Sequence, residues 1–306
     1  MFIKSSILRL PRQVLLRGQQ FTSSAQPKPP SKLRVALPIA FGTVVMYVMS
    51  INIFKGGIVQ KKLGEEESSL AINESVSRAY LLEQQDDKSH IYNDIAFEYD
   101  DKISMDELVL GMYLLRRWLI KRHAKGDVLE LSSGTGRNMK YYYPTIASSY
   151  DIKSLTLVEK SKNMIEAAMK TDATLNLVEH FKKKRKTLRF YQRDAHHLVD
   201  FEDNSFDTVV DTFGLCSYSD PVKVLREMQR VCKPGGKILL LQHGTGYFDF
   251  LNNLLDKNAD KHAEKWGCWW NRDITEILDN SGLKASYINR WHFGTTFYVV
   301  ATPNKP

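Results

Sequence analysis

The chain has 306 residues, of which 43% are hydrophobic and 25% charged, ordinary values for a globular protein with a sizeable core. Its formal charge is +8 at pH 7, which by itself would suit a nucleic acid or an anionic membrane surface. The excess is local, however: no acid precedes Glu65, while Lys4, Arg9, Arg12, Arg17, Lys28, Lys32, Arg34, Lys55, Lys61 and Lys62 all do, so the remainder is close to neutral and no nucleic-acid partner is expected.

Residues 1–24 are rich in Arg, Ser, Gln and Leu and lack acids, the composition of a mitochondrial transit peptide. Arg9, Pro11, Arg12 and Arg17 interrupt any apolar core that a secretory signal would need. Residues 25–34 form a stiff spacer containing Pro27, Pro29 and Pro30. Val35 to Phe54 is uncharged over twenty residues; as a helix it would be about 30 Å long, the thickness of a hydrocarbon core. A buried core helix would have the same composition, but cations on both flanks favour a membrane-spanning one. Residues 55–88 read as a polar, Glu-rich linker, and residues 89–306 as the folded domain.

Within that domain a helix is predicted from Ser104 to His123, with Ser104 and Glu107 as a capping box and Leu108, Met112, Leu115 and Leu119 as its apolar stripe. Val128–Leu131 is a short strand, followed by a glycine turn and a helix from about Arg137. Leu155–Glu159 is a second strand, after which Ser161 caps a helix running to about Lys170. Leu188–Arg193 and Phe206–Asp211 are the third and fourth strands. Asp220 and Pro221 open a helix as N-cap and N1 proline, which ends near Lys233-Pro234-Gly235-Gly236. Lys237–Gln242 is the fifth strand. Strands alternating with helices imply a mostly parallel, doubly wound sheet covered on both faces. Ala285–Trp291 and Thr295–Ala301 follow with no helix between them, so this pair should add an antiparallel edge. Cys216, Cys232 and Cys268 lie far apart, and no CxxC pair or Cys/His ligand spacing accompanies them. Neither a disulfide framework nor a metal site is therefore expected.

The chemistry is concentrated in Val128-Leu129-Glu130-Leu131-Ser132-Ser133-Gly134-Thr135-Gly136-Arg137-Asn138. A strand ends near an acid, and a turn of small residues leads to a helix start, where the backbone can approach a ligand closely. In doubly wound sheets ligands bind beyond the carboxyl ends of the strands. Residue 139 is Met, so the third glycine of a dinucleotide fingerprint is missing, and there is no P-loop. A carboxylate at Glu130 would repel a pyrophosphate but attract the amino group of S-adenosylmethionine. Glu159 ends the second strand twenty-three residues after Gly136, where a carboxylate can accept both hydroxyls of a ribose. Asp194-Ala195 ends the third, where an acid can accept from an adenine amino group. Each acid alone would read as a solvated strand end; the three together favour the cofactor.

Leu129–Gly136, Asp194-Ala195, Phe206-Asp207-Thr208-Val209 and Arg230–Gly236 together resemble the successive motifs of class I S-adenosylmethionine-dependent methyltransferases. The likeness is strongest to the group that includes the ubiquinone/menaquinone-biosynthesis type and small membrane-bound thiol methyltransferases. Tyr92–Asp100 resembles that group's N-terminal helix. Arg137–Tyr142 and Trp266–Asp273, with the leader and anchor, resemble fungal mitochondrial inner-membrane methyltransferase-like proteins. The resemblance implies a Rossmann-like seven-stranded α/β fold with an antiparallel edge strand, preceded by one transmembrane helix. It implies S-adenosylmethionine held by Glu130, Ser132, Gly134, Gly136, Glu159, Asp194 and Ala195. Ser132 departs from the pattern, standing where the first glycine is usual.

Methyl transfer needs alignment and, for some acceptors, a base. His243 directly follows the fifth strand and is the leading candidate, ahead of His196, His197 and Tyr218. Phe248–Trp270 should form a helical cover, with Trp266, Trp269 and Trp270 either lining an apolar pocket or filling core. Lys182–Lys186 reads as a solvated helix end. Three functions stay open: a methyltransferase on a small or lipid-soluble acceptor, one acting on protein or RNA, and a non-catalytic assembly factor tethered beside inner-membrane protein partners. Asp211-Thr212-Phe213-Gly214 ends the fourth strand without the Asn/Asp-Pro-Pro-Tyr/Phe signature of many amino-group methyltransferases, which weighs against the second. Import order favours a domain in the intermembrane space over one in the matrix.

Overall fold

The computed structural model describes residues 89–143 and 151–305. The chain divides into two units, Met1–Val48 and Met49–Pro306, and every described residue belongs to the second. The expected transit peptide, spacer, spanning helix and linker over 1–88 lie outside the described residues. Among the described residues no helix is long and apolar enough to cross a membrane.

Three helices open the domain: α1 (Ser89–Ile95), α2 (Tyr99–Val109) and α3 (Met112–His123). The last two replace the single helix expected from Ser104. Gly111 takes a left-handed φ of 64° between them, which a residue with a Cβ rarely adopts, and the chain turns there. Ser104 sits inside α2, donating to the Asp100 carbonyl rather than capping, and Glu107 is drawn to two arginines instead of a helix N-terminus. Leu108 is exposed, whereas Met112, Leu115 and Leu119 are buried, so the apolar stripe belongs to α3 alone.

The strands follow as β1 (Gly126–Leu131), β2 (Ile152–Glu159), β3 (Thr187–Gln192), β4 (Phe206–Thr212), β5 (Cys232–His243), β6 (Lys284–Trp291) and β7 (Thr296–Thr302). Between them lie α4 (Met139–Tyr142), α5 (Lys162–Met169), α6 (Asp172–Lys183), α7 (Pro221–Val231), α8 (Asp249–Trp266) and α9 (Ile274–Ser281). The sheet order is β3-β2-β1-β4-β5-β7-β6. The first five are parallel, and β7 pairs antiparallel with both β5 and β6, as the closing hairpin predicts. Local signals set the helix starts. Ser161 accepts from the Met164 N–H and Asp220 from the Lys223 N–H, with Pro221 at the first helical position. At β5 the boundary differs from expectation. Strand pairing resumes at Cys232 opposite Phe206, then jumps to Lys237 opposite Thr208, so 233–236 loop out as a bulge rather than ending a helix.

Alternation along the strands sends apolar side chains to two cores. Leu129, Leu131, Val209, Ile238 and Leu240 pack under α7 and α9. Val128, Leu155, Leu157, Val210 and Leu239 pack under α3, α4 and α6. A parallel sheet buried on both faces leaves only the loops at its carboxyl edge free for ligands.

Candidate functional site

At that edge lies an open cleft. Its walls come from the turn after β1, the ends of β2 and β3, the loop after β4, and Tyr92, Tyr99 and Arg116 from the three opening helices.

The β1 turn runs through left-handed backbone at Ser132, Gly134 and Gly136, with φ of 45°, 53° and 78°. The two glycines serve different ends. A Cβ on Gly134 would meet only the Ser132 carbonyl, at 4.0 Å, so that backbone faces open cleft. One on Gly136 would press on Met139, Ala168 and Thr174 at 3.1–3.3 Å. Gly136 therefore permits close packing of the turn onto α5 and α6 and is not part of the cleft wall. Ser132 occupies a conformation that disfavours its Cβ. Its hydroxyl is held 2.6 Å from that of Tyr218, which donates to Asp211 at 2.5 Å.

Glu159 lies where the strand pattern puts it, on the wall beside Gly134. One carboxylate oxygen accepts from the Gly134 N–H at 2.9 Å and the other from the Ser161 N–H at 2.8 Å. The Lys160 backbone also bonds this carboxylate. Burial raises the Glu159 pKa, and these backbone donors only partly oppose it. Asp194 and Ala195 also line the cleft. Asp194 accepts from the His196 ring at 2.5 Å and backbone at 2.9 Å, and pairs with Lys160 at 2.9 Å. Burial opposes ionisation there, but these partners hold the carboxyl well below the usual carboxylate range.

Glu130 is a correction. It shares the face of Val128 by alternation, so its carboxylate points under α4 and not into the cleft. There it accepts from Asn138 at 2.9 Å and Tyr142 at 2.5 Å, and burial pushes its pKa up to about 7. His243 is a second. Its Nε2 lies 2.9 Å from the Cys268 sulfur, behind the wall that Phe213 presents, with the two rings 5.5 Å apart. Of the two readings open for the tryptophans, lining a pocket is not met at the cleft: none of Trp266, Trp269 and Trp270 lines it. Trp270 stacks on His262 at 3.8 Å and donates to the Leu255 carbonyl. Of the other candidate bases, His196 and Tyr218 do line the cleft, while His197 faces Lys223 on the surface.

Several groups escaped the sequence. Glu107 bridges Arg116 and Arg137 with bonds of 2.7–3.2 Å. Burial opposes its ionisation, but the two guanidiniums outweigh that and lower its pKa. Arg137 also bonds Asp100 at 2.8 Å. These contacts join α2 to α3 and to the turn, and no local pattern announces them. Asp211 lies one residue before the end of β4, much as Glu159 ends β2, and that parallel was a usable signal. It accepts from Tyr218, Gln242 and the Gly214 N–H, and burial raises its pKa to about 6. The four cations on the cleft wall are all engaged with acids: Arg116 and Arg137 with Glu107, Lys160 with Asp194, and Arg193 with Asp200.

Residues 129–240 match the family model described as a methyltransferase domain. The chain is 40% identical over 228 residues to the mitochondrial methyltransferase OMS1 of Saccharomyces cerevisiae, covering 70% of this chain but only 46% of that relative. It is 32% identical over 202 residues to the demethylmenaquinone methyltransferase of Renibacterium salmoninarum, covering 61% of this chain and 75% of the relative. The solved DhpI–S-adenosylhomocysteine complex superposes with a TM-score of 0.50 at 18% identity, over 72% of this chain and 97% of that one, a likeness of fold alone.

Proposed function

The chain belongs to the S-adenosylmethionine-dependent methyltransferases, and from that membership we propose that the cleft described above binds this cofactor and that the protein methylates a small or lipid-soluble acceptor at a mitochondrial membrane. The observation that carries the site assignment is Glu159. It is a buried carboxylate on the cleft wall at the end of β2, anchored by backbone N–H groups, and an acceptor-only group of this kind suits the hydroxyls of a ribose. The open space beside Gly134 and the pairing of every wall cation with an acid fit a sulfonium nucleoside better than a pyrophosphate.

In this reading Glu159 takes the ribose hydroxyls, Asp194 and Ala195 take the adenine end, and Ser132 and Gly134 approach the amino-acid part. Glu130 and Gly136 support the turn from behind. The bound cofactor supplies an electrophilic methyl group. The chain's own part is orientation. His196 is oriented by Asp194 and accepts the Asp220 N–H at Nε2, at 3.1 Å, so neither ring nitrogen is free to take a proton. Tyr218 is spent between Ser132 and Asp211. Catalysis by alignment, without a side-chain base, is what these contacts favour.

The acceptor class draws support from the quinone relative and from the aromatic walls supplied by Tyr92, Tyr99 and Phe213. The anchor over 35–54 and the transit peptide rest on the sequence and on the yeast relative's mitochondrial name. Import order favours the intermembrane space over the matrix for the domain. Calorimetric titration of the purified chain tests the cofactor: S-adenosylmethionine should bind and NAD should not, and the converse overturns the assignment. Protease added to mitochondria with a ruptured outer membrane should degrade the domain; survival until detergent is added places it in the matrix.

A further inference from the structure

Two of the three cysteines and the histidine that follows β5 converge. Cys216 comes from the loop after β4, His243 from the end of β5, and Cys268 from the segment after α8. One ligand atom from each, two sulfurs and an imidazole nitrogen, lies within 4.8 Å of the other two. Both cysteines are buried, at 2% and 5% exposure, and no described cysteine is in a disulfide. The arrangement is held from outside. The Trp269 N–H donates to the Cys216 carbonyl at 2.9 Å, and Arg272 donates to the Leu215 carbonyl at 2.7 Å. Gly267 ends α8 in a left-handed turn with φ of 67°, which brings Cys268 inward.

We propose that Cys216, His243 and Cys268 form a binding site for one zinc ion, with three protein ligands and a fourth position left for water. Tetrahedral zinc with bonds of about 2.0–2.3 Å sets its ligand atoms about 3.5–3.8 Å apart. The contacts here run from 2.9 Å to within 4.8 Å, so movements of about 1 Å or less complete the geometry. Two thiolates and one imidazole are a soft donor set that prefers zinc over calcium or magnesium, and three such ligands plus an open position is an established catalytic-type arrangement.

The placement gives the ion a role. Ser217, next in sequence to Cys216, lines the cleft, and its hydroxyl is 2.6 Å from that of Tyr92 on the same wall. Phe213, packed against the His243 ring, lines it too. Zinc would tie the loop after β4 to β5 and to the segment after α8, and so brace the wall that faces the acceptor.

The test uses the full-length chain purified under reducing conditions without chelator, with metal measured by elemental mass spectrometry. About one zinc per chain is expected in the wild type and in Cys232→Ser, which changes the cysteine outside the cluster. Loss of that zinc is expected in Cys216→Ser and in Cys268→Ser. Because those variants can fail to fold, the wild-type chain stripped of metal is also titrated with cobalt(II), which should develop the intense thiolate-to-metal absorption of a tetrahedral site. Zinc retained in both ligand variants, or a reduced wild-type chain that shows no such absorption, overturns the proposal. So does a Cys216–Cys268 cross-linked peptide from a chain that takes up no metal after reduction, which would make the pair a disulfide instead.

Discussion

Replacing Glu159 tests the cofactor site at its most constrained point. In Glu159→Ala both ribose acceptors go, together with the acceptors for the Gly134 and Ser161 N–H groups. At about 1 kcal/mol net for each lost ligand hydrogen bond, affinity for S-adenosylmethionine should fall by about 2 kcal/mol, roughly thirtyfold. Glu159→Gln separates charge from shape. The amide keeps one oxygen, so its NH2 group must face either the Gly134 or the Ser161 donor. That donor-to-donor contact should cost about 1–3 kcal/mol of stability, while the neutral acceptor weakens binding less than alanine does. The wild type carries its own control in pH. Burial raises the Glu159 pKa, so acidification should weaken cofactor binding at a higher pH than for an ordinary glutamate, and this dependence should vanish in Glu159→Ala. Calorimetric titration with S-adenosylmethionine, alongside circular dichroism to confirm the fold, measures all three. A folded Glu159→Ala chain that binds within about threefold of wild type would show that the ribose does not sit here.

Three further substitutions bear on the same region. Glu107→Ala removes the acid shared by two guanidiniums whose side chains are only 7% and 17% exposed, leaving Arg137 with Asp100 but Arg116 with no carboxylate, and should destabilise the domain by about 3 kcal/mol in urea denaturation; an unchanged midpoint would mean that the pairs contribute nothing. Because the folded pKa of Glu107 is depressed, its stabilisation is present above the unfolded value and is lost as pH falls through the folded one. Glu130 has the opposite sign: with its folded pKa at about 7 against 4.5 unfolded, it destabilises the fold increasingly as pH rises through that window. Glu130→Gln, whose amide can still accept from Asn138 and donate to the Tyr142 oxygen, should match wild type near the unfolded pKa and be about 3 kcal/mol more stable at alkaline pH; equal thermal shifts at both ends would refute the assignment. Gly134→Ala forces a methyl group onto left-handed backbone with φ of 53°, at about 1–2 kcal/mol, and points it into the open cleft, so cofactor binding should fall well beyond the stability loss; undiminished binding would place the cofactor away from this turn.

Much of the domain is legible from local chemistry. Alternating and 3.6-residue patterns mark the strands and amphipathic helices, Ser161 and the Asp220-Pro221 pair mark helix starts, and acids at successive strand ends mark the cleft, because a parallel sheet buries everything else. Glu159, Asp194, Ser132 and Gly134 reach the cleft since each sits at or just past a strand's carboxyl end, a position that sequence alone defines. Alternation also carried the answer for Glu130, which shares parity with Val128 and so turns to the α4 side. What sequence did not contain was proximity across the fold. Gly111, in left-handed backbone, splits one apolar pattern into two helices, and Glu107 finds Arg116 and Arg137 instead of a helix N-terminus. His243 stands at the expected strand end yet faces Cys268, 25 residues on. Cys216, His243 and Cys268 lack any ligand spacing in sequence because three separate elements deliver them, and only the β4-β5-β7 order and the turn after α8 bring their donor atoms together.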